Sequence, residues 1–171
     1  MEETNIWTAC GDGQFEIVKA FVAGGISVNA QDDYGYSPLH AACSYRNSEI
    51  ATWLLSQGAR VDLKDSDGET ALMVCEDPVC ADLLLAAGAD IFHISSEGKT
   101  AYHVAIWEHR DEMVQWLKDQ YAQRGVALPE VGDDPEKENE DDDEEEGFMG
   151  DDDNDDGGMM MNNEDDIKNQ D

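Results

Sequence analysis

Three groups of residues have types and spacings that could support chemistry, and each can be weighed on what that chemistry needs. Asp152-Asp153-Asn154-Asp155-Asp156-Gly157 opens like a calcium loop, where side-chain oxygens at alternate positions and a sixth-position glycine wrap the ion. Such a loop closes on a bidentate glutamate at position twelve. Here that position is Asn163, and Glu164 lies one residue too far. Gly147, Gly150 and Gly158 also weaken the helices that should flank it, so only loose divalent association through charge density is expected. Cys75 and Cys80 have four residues between them, not the two of a zinc pair. The histidines are His40, His93, His103 and His109. No His-Glu-x-x-His occurs, and no serine or cysteine has a histidine at a spacing that signals a nucleophile. We therefore expect a protein that is not an enzyme, with no catalytic residue, no resident metal and no cofactor.

The residues that could do chemistry instead recur with a period of the chain itself. Gly25, Gly58 and Gly88 each close an apolar run; Gly35, Gly68 and Gly98 follow the same rhythm, and Ser37, Thr70 and Thr100 stand two positions after them. Ile6-Trp7-Thr8-Ala9-Cys10 matches Leu39-His40-Ala41-Ala42-Cys43. Four copies fit, at about 2–30, 31–63, 64–93 and 94–125. One such unit cannot bury its apolar face alone, so neighbours must supply the other wall.

Each copy reads as a turn followed by a helix pair. Ser37 is a good N-cap and Pro38 suits the first helical position. A short first helix then turns Leu39, Ala42 and Cys43 inward, and a second places Ile50, Trp53 and Leu54 on one stripe before Gly58 ends it at positive φ. Asp32-Asp33-Tyr34-Gly35 and Asp65-Ser66-Asp67-Gly68 carry turn chemistry. The last helix, about Asp111 to Arg124, has the polar outer residues Lys118, Asp119, Gln120, Gln123 and Arg124 that a terminal cap needs. Copy 3 is three residues short between its helices, and Asp77-Pro78 supplies a cap that restarts the second helix early. That deletion is expected either to be tolerated as a shortened turn or to open a notch on the binding side. Cys10, Cys43 and Cys75 fall at or beside one repeat phase that also takes Ala9, Ala42 and Ala105, which is the pattern of a small buried slot. His93 and His109 read as surface residues.

Of 171 residues, 1–128 hold 20 of the 41 acids and 8 of the 10 bases, a net of −12, while 129–171 hold 21 acids and two bases, a net of −19. Every aromatic but Phe148 precedes residue 129. This predicts one packed domain over 1–128 and a disordered acidic tail over 129–171, where Glu140 to Glu146 is an unbroken run of acids. The tail has no Ser, Thr or Tyr, so its charge is not gated by phosphorylation. Phe148, Met149 and Met159 to Met161 interrupt the acids, as short apolar anchors or as spacers. Clustered Lys and Arg are absent, which argues against direct nucleic-acid or anionic-membrane binding. No apolar run approaches the roughly 18 residues of a membrane span. Met1-Glu2-Glu3 lacks an apolar leader, and four cysteines without one suggest reduced thiols. The expected location is the cytoplasm, the nucleus or both.

The run Gly35-Tyr36-Ser37-Pro38-Leu39-His40-Ala41-Ala42, followed by Ile50, Leu54-Leu55, Gly58-Ala59 and Val61-Asp62, resembles the ankyrin repeat. Gly98-Lys99-Thr100-Ala101-Tyr102-His103-Val104-Ala105 is a looser copy. Asn5-Ile6-Trp7 and Glu76-Asp77-Pro78 are similar to small fungal members of that family. The resemblance covers about 125 residues and leaves the tail unexplained. It implies a mostly α fold, an ankyrin-type solenoid of stacked helix pairs with short β-hairpin turns, in which His40 and His103 join hydrogen-bond networks across neighbouring turns. A capped solenoid of this kind is expected to be a monomer.

The resemblance also implies where a partner would sit, on the turn tips and the exposed end of each first helix. On this chain those positions are Asp33, Tyr34, Tyr36 and Tyr45; Ser66, Asp67, Glu69 and Glu76; and Ser96, Glu97, Lys99, Trp107 and Glu108. Aromatics among acids suit a cationic protein partner. The leading expectation is a non-catalytic module that binds or escorts a basic protein, such as a ribosomal protein or histone, while the tail screens its Lys and Arg. The alternative is a regulatory protein that occludes a kinase or other signalling enzyme, the tail serving only solubility.

Overall fold

The computed structural model describes residues 4–132. The acidic runs, the calcium-like segment and the apolar anchors of the tail lie outside the described residues. Seven α-helices form among those described: α1 (Ile6–Gly11), α2 (Phe15–Ala23), α3 (Pro38–Ser44), α4 (Ser48–Ser56), α5 (Pro78–Ala86), α6 (Ala101–Trp107) and α7 (Asp111–Gln123). First helices stack as α1 on α3, while the second helices run α2, α4, α5, α7, each on the next. Phe15 meets Trp53 edge-on at 5.8 Å between α2 and α4, and Trp116 Nε1 donates to Asp82 Oδ1 at 2.8 Å between α7 and α5. Leu39, Ile50, Leu54, Leu72, Leu84 and Leu117 are among the side chains that fill the common core.

Local sequence explains the elements. Asn5 caps α1 by accepting from the Thr8 amide at 2.8 Å, and Ser37 caps α3 with Pro38 in its first turn. Gly58 follows α4 at φ 91°, the left-handed conformation that favours glycine. Gly35 (φ 76°) is required for a second reason: a Cβ there would lie 2.9 Å from Asp65 Cα, because the next turn packs directly on its backbone. Each projecting turn closes with a hairpin-type bond, from Asp32 N to Tyr36 O, Asp65 N to Glu69 O and Ser95 N to Lys99 O. Successive turns join edge to edge through Ser66 N to Tyr34 O (2.8 Å) and Ser96 N to Asp67 O (3.0 Å). The hairpins are so short that one bridge, Lys64 with Thr70, is the sole β pairing among the described residues.

Copy 3 departs from the expected helix pair. Its first helix is absent, and Ala71 to Val74 make a single turn closed by Met73 N to Thr70 O (2.9 Å). The missing three residues are the counterparts of Ser44-Tyr45-Arg46 in copy 2. With them gone, too little chain remains before Pro78, and the residue preceding a proline is itself pushed away from helical geometry. The sequence reading placed this loss in the connecting turn alone; the structure extends it to the helix. No described helix is long and apolar enough to cross a membrane.

Candidate protein-binding surface

The ordering of the turns begins with His40. Its Nε2 faces the Glu69 carbonyl of the next turn at 3.2 Å, and a carbonyl only accepts, so Nε2 carries the proton. Nδ1 is then free to accept from the Ser37 amide (3.3 Å) and hydroxyl (2.7 Å). Burial lowers the His40 pKa and keeps the ring neutral. His103 repeats the arrangement with Thr100 at 2.8 Å, and its Nε2 reaches the Glu130 carbonyl at 3.0 Å. Glu130 thus stands where a following turn would supply its carbonyl, and Val131 packs on the core. The end of the described chain therefore covers the last copy, in addition to the polar face of α7. His93, read from sequence as a surface residue, is half-buried: its Nε2 meets the Gly68 carbonyl at 2.8 Å and ties turn to turn. His109 is exposed at φ 54°.

Tyr34 and Tyr45 are the most open of the large hydrophobic side chains described, at 74% and 66% exposure. Asp33, Ser66, Asp67, Ser96, Glu97 and Glu108 are exposed as well. Tyr36 is half-buried, with its hydroxyl on Ser44 Oγ, and burial raises its pKa. Glu69 is half-buried and held above the usual carboxyl range, first by desolvation and then by Asp65. Glu76 faces Arg46 at 3.7 Å. Lys99 is largely covered, pairing with Glu97 at 2.7 Å and lying 5.5 Å over the Trp107 ring. Trp107 donates through Nε1 to the Gly132 carbonyl at 3.3 Å. The structure therefore brings Tyr36 and Tyr45 to one cleft, leaves Tyr34 on the first turn tip next to Asp33, and sets Lys99 and Trp107 apart in an intramolecular cluster.

Sequence reasoning missed Trp7, Thr8, Asp12 and Ile94 on this surface. Trp7 and Asp12 line a cleft of about 280 Å³ together with Thr8, Tyr36 and Tyr45, and the Trp7 indole N–H is buried there without a partner. Ile94, at the start of the copy 4 turn, is 60% exposed at the phase of Gln31 and Lys64. Only Ile94 carried a legible signal, an apolar residue where the other turns have polar ones.

The thiols are interior groups. Cys10, Cys43, Cys75 and Cys80 are all buried and free. Burial pushes the Cys10 pKa to about 12, and hydrogen bonding with Cys75 and Cys80, followed by burial, holds Cys43 well above the ordinary thiol range. Among the described residues no three His, Cys, Asp or Glu side chains are arranged to hold a metal ion.

The turn-and-helix-pair geometry agrees with comparison to known proteins: the family described as Ankyrin repeats (3 copies) matches residues 1–65 and 57–126. The chain belongs to the ankyrin-repeat family. An ankyrin repeat-containing protein of Schizosaccharomyces pombe is 40% identical over 101 residues, covering 58% of this chain and 49% of that protein. Human protein phosphatase 1 regulatory subunit 27 is 40% identical over 57 residues, 33% of this chain and 37% of that protein. The mouse RelA-associated inhibitor is 38% identical over 68 residues, 39% of this chain and 8% of that protein. The matched segment spans about half or less of each of these relatives. Ankyrin repeats are a non-catalytic interaction fold, and this chain is accordingly a protein–protein interaction module.

Proposed function

We propose that this ankyrin-repeat protein binds a basic protein or basic segment on its turn tips and first-helix ends, and that residues 129–171 screen the partner's Lys and Arg side chains. The observation that carries the reading is that open aromatics and unneutralised acids occupy the same turn-tip and helix-end positions: Tyr34 and Tyr45 are exposed, as are Asp33 and Asp67, which find no cationic partner among the described residues. Exposed tyrosines supply contact area at low entropic cost, and like-signed acids around them favour a cation and speed encounter. The net of −19 over 129–171 extends the same sign. A nucleic-acid-binding protein whose basic surface needs cover before assembly fits this charge logic. The module would act as a monomer, in cytoplasm or nucleus.

Affinity capture at two salt concentrations, with and without residues 133–171, tests the reading and leaves in place the Glu130, Val131 and Gly132 contacts that cover the last copy. Removal is expected to weaken capture about tenfold at low salt and to flatten its salt dependence. Unchanged capture and unchanged salt dependence would remove the screening role. The second reading, an occluder of a signalling enzyme, draws on relatives named a phosphatase regulatory subunit and an inhibitor. It predicts capture of an enzyme with no loss on truncation.

A further inference from the structure

The three-residue loss in copy 3 leaves an opening on the second-helix side of the stack, not on the turn-tip side. The opening has a volume of about 810 Å³ and is walled by the starts of α4 and α5 and by one face of α7. Pro78, Val79 and Trp116 form its apolar lining, and Val79 is 60% exposed; Asp77, Glu112 and Asp119 supply carboxylates. Arg46 is the one cation of the lining, and it is already engaged by Glu76 (3.7 Å) and Glu112 (3.4 Å).

Asp77 is the anomaly. It is nine-tenths buried, and Oδ1 caps α5 by accepting from the Val79 (2.8 Å) and Cys80 (3.3 Å) amides. Oδ2 has no partner. The same phase is held in copy 2 by Asn47, which donates to the Cys10 and Gly11 carbonyls at 2.8 and 2.7 Å. In copy 4 it is held by Arg110, which donates to the Met73 and Cys75 carbonyls at 3.1 and 3.4 Å. A carboxylate cannot donate, so Asp77 leaves a buried acceptor without a partner, in a side chain that lines a cavity with surplus negative charge.

We propose that this notch receives the side chain of a lysine or arginine from a partner protein, its methylenes against Pro78, Val79 and Trp116 and its head donating to Asp77 Oδ2 and Asp119. The proposal rests on the reading of a basic partner and adds a contact beyond the tyrosines, in an opening that Arg46, the chain neighbour of Tyr45, helps to line. Long basic side chains bury their stems readily while their heads keep polar contact.

Two-dimensional NMR on the full chain tests it with three peptides: Gly-Gly-Arg-Gly-Gly, its lysine counterpart, and its uncharged citrulline counterpart. The Trp116 indole and Val79 amide signals are expected to shift saturably with the first two and not with the third. Asp77→Asn should weaken binding at least fivefold while the melting temperature holds or rises. Arg46→Ala, which removes the competing cation, should tighten binding two- to threefold, and Val79→Trp, which fills the notch, should abolish it. Equal shifts from citrulline, no shift at Trp116 and Val79, or undiminished binding by Asp77→Asn would each overturn the proposal. Shifts confined to Tyr34 and Tyr45 would overturn the notch and leave the basic-partner reading standing. That reading is judged separately, by the salt dependence of capture.

Discussion

Copies 2 and 3 begin in the same phase, Ser37-Pro38-Leu39 against Thr70-Ala71-Leu72, and end at matching glycines, Gly58 and Gly88. One builds two helices and the other builds one. Even so, Leu39 and Leu72 are both 1% exposed, and Leu54 and Leu84 are both sealed. The stack therefore depends on delivering an apolar side chain to each layer and on closing each turn against the next. It does not depend on every layer having its first helix. What the helix adds is its exposed end, the Tyr45-Arg46 corner that copy 3 lacks and whose absence leaves the notch.

The largest test of that comparison is a matched pair of truncations. Leu39→Ala and Leu72→Ala should each cost about 2–5 kcal/mol by chemical denaturation, since equal burial implies equal loss. A cost below about 1 kcal/mol for Leu72→Ala alone would mean that the helix-free turn collapses around the void, and that the two layers are not equivalent.

A smaller effect is expected from giving copy 2 the residue that copy 3 carries. Met73 stands where copy 2 has His40, so His40→Met removes the link from Ser37 to the Glu69 carbonyl and should cost about 2 kcal/mol. Burial lowers the His40 pKa, so the unfolded chain takes up the proton first as pH falls through the ordinary imidazole range. The stabilisation from neutral His40 is complete above that range and is lost as pH drops through it toward the depressed folded value. The gap in melting temperature between parent and His40→Met should accordingly shrink from about pH 8 to about pH 5. A gap that stays constant would contradict a buried neutral ring.

Much of this arrangement could be read in the sequence, because caps, glycines and phase are local signals. Ser37-Pro38, Asp77-Pro78 and the paired glycines mark element ends by their own backbone requirements, and the recurrence of His40 and His103 marks the links between turns. The lost helix of copy 3 could not be read in the same way. Ala71-Leu72-Met73-Val74 has no local feature against a helix, and the veto comes from the length left before Pro78. His93 was hidden because it has no in-phase histidine in another copy, and its bond to Gly68 depends on how two turns meet. The partner surface was legible as a set of positions but not as a grouping. Tyr34 and Tyr45 stay open, whereas the chain after α7 folds back to occupy Trp107.

The smallest expected effect bears most directly on how the two copies differ at their junctions. Asn47 satisfies the end of α1, while Asp77, at the same phase, holds an unpartnered oxygen. Burial raises the Asp77 pKa, against the Val79 and Cys80 amide bonds that lower it. A carboxyl raised on folding favours the folded state in acid and loses that contribution as pH rises through its folded pKa. Asn and Asp cap helices about equally, so Asp77→Asn keeps the start of α5 intact. The amide also carries no charge to desolvate at this buried position. The substitution should stabilise the protein by about 0.5–1 kcal/mol at neutral pH, with the gain fading in acid. This is the reverse of the His40 trend, so the two variants check each other in one series of thermal melts. A fall in melting temperature would mean that Oδ2 already has a donor in solution, and that copy 3 resolves its junction as fully as copy 2 does.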